Sequence, residues 1–183
     1  MFPPPPPPPY GNLLDILAAK PKVFVSFHHA DHPFYDAFSR TFHDSYEAVY
    51  DNSVDREIDS HDPEYVMRCI RENYITGSSC TIVLCGLETW RRKYVDWETK
   101  ATLDKVGHGL IGVALPLIES LPDPMVLAPR RLSENLGSGY AIWTKWSFLL
   151  SGGLPFFRQI IATAKSKPEV LKENRTPLQP ADL

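Results

Sequence analysis

The sequence has no apolar run long enough to span a bilayer, and its start (Met-Phe, then prolines) has no basic region leading into an apolar core. A secretory leader and a membrane anchor are therefore not expected. Cysteine is scarce: Cys69, Cys80 and Cys85 are the 3 present, and their spacing fits neither a zinc site nor a paired disulfide framework. They read as buried thiols, and the expected compartment is the reducing cytoplasm. Excess charge is missing too, since 19 Lys+Arg against 22 Asp+Glu leave a net charge of -3. That balance gives no electrostatic reason to expect nucleic acid or an anionic membrane as a partner. The basic run Arg91, Arg92, Lys93 then reads as a solvated helix face. Glycine-rich phosphate loops are absent as well: the first turn reads SFHHAD instead of G-x-G-x-x-G, and no G-x-x-x-x-G-K-[ST] occurs. A hydride-transferring Rossmann enzyme and a P-loop NTPase are disfavoured, and neither a nucleophile elbow nor a Cys-His-Asn pattern stands out.

What is present fits one globular unit with tails: 183 residues, 43% of them hydrophobic. Residues 1–21 form a proline-rich extension, in which Pro3 to Pro9 must run as a polyproline II rod. Leu13, Leu14, Ile16 and Leu17 suit one short helical turn. The domain proper spans 22–167, and 168–183 reads as a loose polar tail. Val23 to Val25 is a first strand, closed by Ser26, Phe27, His28 and His29. Asp31 with Pro33 reads as an N-cap and first turn, and Phe34, Ala37, Phe38 and Phe42 recur at helical spacing. Tyr46 to Tyr50 is a weaker strand, and Asp51 to Asp62 is a polar loop long enough to suspect function. Asp62-Pro63 opens a helix through Val66, Met67, Ile70 and Tyr74, stopped at Gly77. Leu110 to Leu115 is a fourth strand, Leu117 to Gly139 a poorly patterned connection with room for a short helix, and Tyr140 to Trp146 a fifth strand. Phe156, Phe157, Ile160, Ile161 and Ala164 mark a last helix.

The third strand and the helix after it organise the rest. Cys80 to Cys85 is a continuous apolar run, as in a strand buried on both faces of a parallel sheet. Gly86 to Thr89 breaks it, Thr89 is placed to cap, and a helical period follows from Trp90. On that helix Tyr94, Trp97, Ala101 and Lys105 share a stripe, and Glu98 falls beside them, where the pattern asks for an apolar group. Spacing alone favours an edge-of-stripe Glu reaching water over a carboxylate projecting into a cleft walled by aromatics.

Five strands alternating with helices predict a flavodoxin-like open parallel sheet, order 2-1-3-4-5, with helices on both faces. Its crevice lies beyond the C-terminal ends of the first and third strands, where Ser26 to His29 and Gly86 to Thr89 would line it. A phosphorylation receiver shares the topology but would want an acceptor Asp where Cys85-Gly86 stands. His28, His29 and His32 look like a metal cluster, yet no Cys or carboxylate recurs at ligand spacing, so no metal is expected. They read as turn polar groups, with His28 best placed to touch a ligand. One carboxylate beside aromatics remains. It suits a transition state that gains positive charge, as when a neutral group leaves a sugar carbon, and aromatic faces suit a flat base.

KVFVSFHHADHPFYDAF, the apolar third strand and VLCGLETWRRKYVDWETKATLDKVGHGLIGVAL together resemble the TIR-like domains of the MTH538 and Thoeris (ThsB-type) anti-phage defence family. The likeness covers about Lys22 to Trp146 and rests on the Trp97-Glu98 helix motif and on the order of the elements. It implies a TIR-type flavodoxin-like fold and cleavage of NAD at the nicotinamide–ribose bond by Glu98, with NAD as substrate and no resident cofactor. It also implies a cyclic or modified ADP-ribose signal that reaches a separate effector, self-assembly, and a phage-derived trigger. Ser26, Phe27 and His28 would line the nucleotide pocket, with Trp90 and Trp97 supporting its wall, although Trp97 suits a core role equally. Asp51 to Asp62 would be the loop used in assembly and gating. Arg92 and Lys93 stand where many TIR enzymes place Ser or Cys. The alternative is a non-catalytic TIR scaffold in which Glu98 is structural.

Overall fold

The computed structural model describes residues 20–50 and 62–180. The polyproline run, the Leu13 to Leu17 turn and nearly all of the Asp51 to Asp62 loop lie outside them. Five strands, β1 (Lys22–Ser26), β2 (Glu47–Val49), β3 (Ser78–Cys85), β4 (Gly109–Ala114) and β5 (Ile142–Lys145), form one sheet in the order β2-β1-β3-β4-β5. All neighbours pair in parallel, with Ser26 beside Val83, Cys85 beside Ala114 and Ala114 beside Lys145. This is the flavodoxin-like α/β fold. The edge strands β2 and β5 are the short ones, 3 and 4 residues long.

The helices are α1 (His32–Phe42), α2 (Pro63–Ile70), α3 (Lys93–Leu103), α4 (Pro116–Glu119), α5 (Arg130–Gly137) and α6 (Trp146–Lys165). Alternate strand residues divide the core. Val23, Val25, Ile82, Leu84, Ile111 and Val113 face α1 and α6, where Phe38, Phe42 and Phe157 interlock. The Phe38 and Phe157 rings meet edge to face at 5.3 Å, and truncating either would cost about 3–5 kcal/mol. On the other face, Phe24 packs under Val66, Met67, Ile70, Trp97 and Ala101, while Val83, Cys85, Leu110 and Ala114 pack under Val95, Leu103, Leu132 and Tyr140. Cys80 and Cys85 are fully buried, and that burial pushes both thiols far above their ordinary range. Gly112 lets the Trp143 ring cross β4, since a Cβ there would lie 2.6 Å from the indole.

Several local expectations need correction. α6 begins at Trp146, so the fifth strand ends one residue earlier than the apolar pattern implies; the helix breaks at Gly153, whose φ of 54° only glycine adopts readily. The Leu117 to Gly139 connection holds more than the one short helix expected of it: most of α4, a 3-10 turn at Pro124–Leu127 and α5. The regular helix after β3 starts at Lys93, preceded by a 3-10 turn at Thr89–Arg91. Residues 168–180 are not loose. A 3-10 turn at Glu169–Leu171 leads into an extended strap along α3, pinned by Gly107 N–H to Glu169 (2.9 Å), Lys172 to the Lys105 carbonyl (2.7 Å) and Asn174 to Asp104 (2.8 Å).

Candidate functional site

The site grows from the C-terminal ends of β1 and β3, neighbours in the sheet whose chains then leave in different directions. Ser26 ends β1 and is 1% exposed; its hydroxyl donates a hydrogen bond to Glu98 Oε2. Glu98 is 4% exposed, so the edge-of-stripe reading that would put it in water does not hold. It is buried because α3 is enclosed almost all round, with Val95, Asp96, Trp97, Thr99, Ala101, Thr102 and Leu103 also buried. Thr102 fixes the turn after Glu98, donating to the Glu98 carbonyl at 2.9 Å and meeting Thr81 of β3 at 2.7 Å.

Beyond Ser26 the first turn divides. Phe27 stacks on Tyr35 (5.1 Å between centroids, planes 15° apart), leans on Tyr50 at 5.4 Å and meets the edge of His32 at 5.7 Å. This aromatic patch lies on the β2 side of the crevice, with Tyr35 tied to the Ala48 carbonyl at 3.1 Å. His28 is buried and its Nδ1 accepts from the Ala30 N–H at 3.3 Å, capping a 3-10 turn at His29–Asp31. Among the described residues, no three His, Cys, Asp or Glu side chains gather as metal ligands.

The turn after β3 holds what the spacing misses. Thr89 does not cap a helix; its Oγ1 accepts from the Gly86 N–H at 2.8 Å and closes the turn on itself. Asp31 makes no capping bond at the start of α1 either. Its carboxylate reaches across the crevice and lies on Gly86, where a Cβ would come within 2.7 Å of Asp31 Cγ. Burial pushes the Asp31 carboxyl up, against smaller opposing effects of Thr89 and His29. A Gly directly after an apolar strand is the one sequence signal that a side chain presses on the turn.

Trp90 and Trp97 occupy different settings. Trp90, on the 3-10 turn, is 38% exposed. Trp97 is in the core with Phe24, Val66, Met67 and Ile70, and its indole N–H donates to the Gln179 carbonyl at 2.9 Å. Sequence reasoning also misses Arg131, fully buried, whose Nε and NH2 donate to Asp96 Oδ1 and Oδ2 at 2.9 and 3.1 Å. The fork-on-carboxylate geometry ties α5 to α3 two residues before Glu98.

A surface cleft of about 470 Å³, lined in part by Tyr65, Arg68, Arg71 and Lys100, opens on the α2 side of α3. Asp104 pairs there with both Arg71 and Lys100, at 3.5 and 3.2 Å. At the strand ends the structure brings the Glu98 carboxylate to the Ser26 hydroxyl, while Phe27 and Tyr35 pack on the opposite face of the sheet, against the core beneath α1 and α6. No helix among the described residues is long and apolar enough to cross a membrane.

No curated protein matches the chain. Among protein families, residues 24–120 match Thoeris protein ThsB, TIR-like domain, a span that runs from β1 through α4 and includes both Ser26 and Glu98. A match over more than half of the chain, across the elements that build the crevice, makes this protein a member of the Thoeris ThsB TIR-like domain family and places it in Thoeris defence.

Proposed function

We propose that this chain consumes NAD, cleaving the nicotinamide–ribose bond, and that the product is a cyclic or otherwise modified ADP-ribose that activates a separate effector during bacterial anti-phage defence. The observation that carries the reading is Glu98 itself, 4% exposed and held by Ser26 at the mouth of the sheet. As the ribose carbon–nitrogen bond breaks, its electron pair moves onto the nicotinamide ring, which departs neutral while positive character builds on the ribose. A fixed carboxylate beside that carbon stabilises the developing cation, and its second oxygen can hold the ribose hydroxyls. Phe27 and Tyr35 stack on each other, so a flat base would lie on the outer side of that pair. Capture of the cation by water gives ADP-ribose, and capture by a nitrogen of the adenine closes a ring; ring closure needs a crevice that excludes solvent.

The test is NAD turnover by purified wild type and by Glu98→Gln and Glu98→Ala, repeated in lysate from infected cells to supply a phage-derived trigger, with products identified by mass spectrometry. Turnover in the wild type, lost in both variants with folding unchanged by circular dichroism, supports the reading. Equal turnover in all three would remove Glu98 from the chemistry. One observation favours a second reading: the Ser26–Glu98 bond also ties α3 to β1, as a structural carboxylate would. The domain would then act as a scaffold that assembles with partners, and no protein preparation, triggered or not, would consume NAD.

A further inference from the structure

The strap is bound as a peptide ligand is bound. Asn135, buried on α5, pairs with the main chain of Glu173 in both directions, donating to its carbonyl at 2.7 Å and accepting from its N–H at 3.1 Å. Arg131 donates to the Pro177 carbonyl at 3.2 Å and to the Asn174 side chain at 3.1 Å. Asp96 accepts from the Gln179 N–H at 3.0 Å, and Trp97 donates to the Gln179 carbonyl at 2.9 Å. Leu178, half-buried, packs against the apolar cluster that holds Val66, Met67 and Trp97. The receptor side chains therefore read backbone groups at three positions and one apolar side chain, which is how a groove recognises an extended segment. The receptor is organised around the Asp96–Arg131 pair, so its donors and acceptors are held in place.

Three contacts bear on Glu98. Asp96 and Trp97 are the two positions just before it, and the Gln179 side chain donates to the Arg91 carbonyl at 2.7 Å, at the end of the 3-10 turn that follows β3. One residue of the strap thus spans the turn and the first half of α3. We propose that the groove between α3 and α5 is a peptide-binding site occupied in cis by residues 173–180, and that its occupancy positions Glu98 against Ser26. Gln179 is the positioning residue and Leu178 the anchor. The catalytic consequence rests on the NAD-consuming reading, while the binding site does not.

The experiment uses the full chain carrying Leu178→Asp with Gln179→Ala, and a synthetic peptide of residues 170–180 as the probe. In the variant, the Trp97 indole N–H resonance shifts, and amide exchange over the first turns of α3 quickens by about tenfold while β1 and β4 keep their protection. Adding the peptide returns both signals. Where wild type consumes NAD, kcat falls in the variant with KM little changed, and the peptide restores it. An indole resonance that does not move, or signals that the peptide fails to restore, would overturn the proposal. If the double variant does not fold, Gln179→Ala alone gives the same readouts against the same peptide. A wild type that consumes no NAD defeats the enzymatic reading only, because the resonance and the exchange rates still decide the groove.

Discussion

Asp96 and Glu98 are two acidic side chains on one helix, both nearly inaccessible to water and two positions apart, yet they belong to different halves of the molecule. Asp96 turns toward α5 and the strap, where a buried guanidinium and a main-chain N–H converge on it. Glu98 turns toward the end of β1, where a serine hydroxyl meets it. A helix that advances 100° per residue separates such neighbours by more than half a turn, so one helix can bolt itself down with one acid and present the other to a crevice. Burial alone therefore says little about role, and the element a side chain faces says more.

Four measurements break or sharpen that contrast. The largest effect is expected from Arg131→Met, which leaves Asp96 buried without its guanidinium; denaturant unfolding should show a loss of about 3–5 kcal/mol. Next comes Glu98→Gln, which under the NAD-consuming reading lowers kcat by roughly 10²–10³, or about 2.7–4 kcal/mol of barrier, with a melting temperature close to wild type. A comparable melting loss in both variants would erase the distinction between the two acids.

A third measurement concerns the inner face of α3, where His108 meets Thr81 at 2.9 Å and Thr81 in turn meets Thr102. Burial, with Lys105, Lys172 and Lys165 nearby, pushes His108 down to about 3. Its folded value lies below the ordinary one of about 6.5, so the unfolded chain binds the proton first and stability falls as pH drops from about 6.5 toward 3. The loss by pH 4.5 is on the order of 2 kcal/mol, and His108→Gln should flatten that dependence in melts recorded across the range. The smallest effect is expected from Gly86→Ala, whose new Cβ would press on Asp31. It should cost about 1 kcal/mol, and Asp31→Ala in the same chain should recover part of the loss.

The strands buried on both faces were the legible part. β1, β3 and β4 read as apolar runs because their two faces both meet helices, and the βα alternation then gives the sheet order. Ser26 and Glu98 can each be picked from their places in that order, while the bond between them depends on how α3 sits over β1. Of α4 and α5 only room for one short helix is legible, because prolines and short lengths hide their period, and Arg131 escapes because its partner lies far away in sequence. The strap escapes for another reason. Its N-R-T-P-L-Q run has neither helical nor strand spacing, since its hydrogen bonds go to side chains of α3 and α5 and not to its own backbone.

The brevity of the two outer strands bears on how copies of this domain can meet. Neither the described part of β2 nor β5 offers a long row of open amides, and the Lys22–Glu47 pair adds charge beside β2. A neighbouring molecule finds little there to zip onto. Growth of one continuous sheet from copy to copy through these described edges is disfavoured, whatever other surfaces the domain presents.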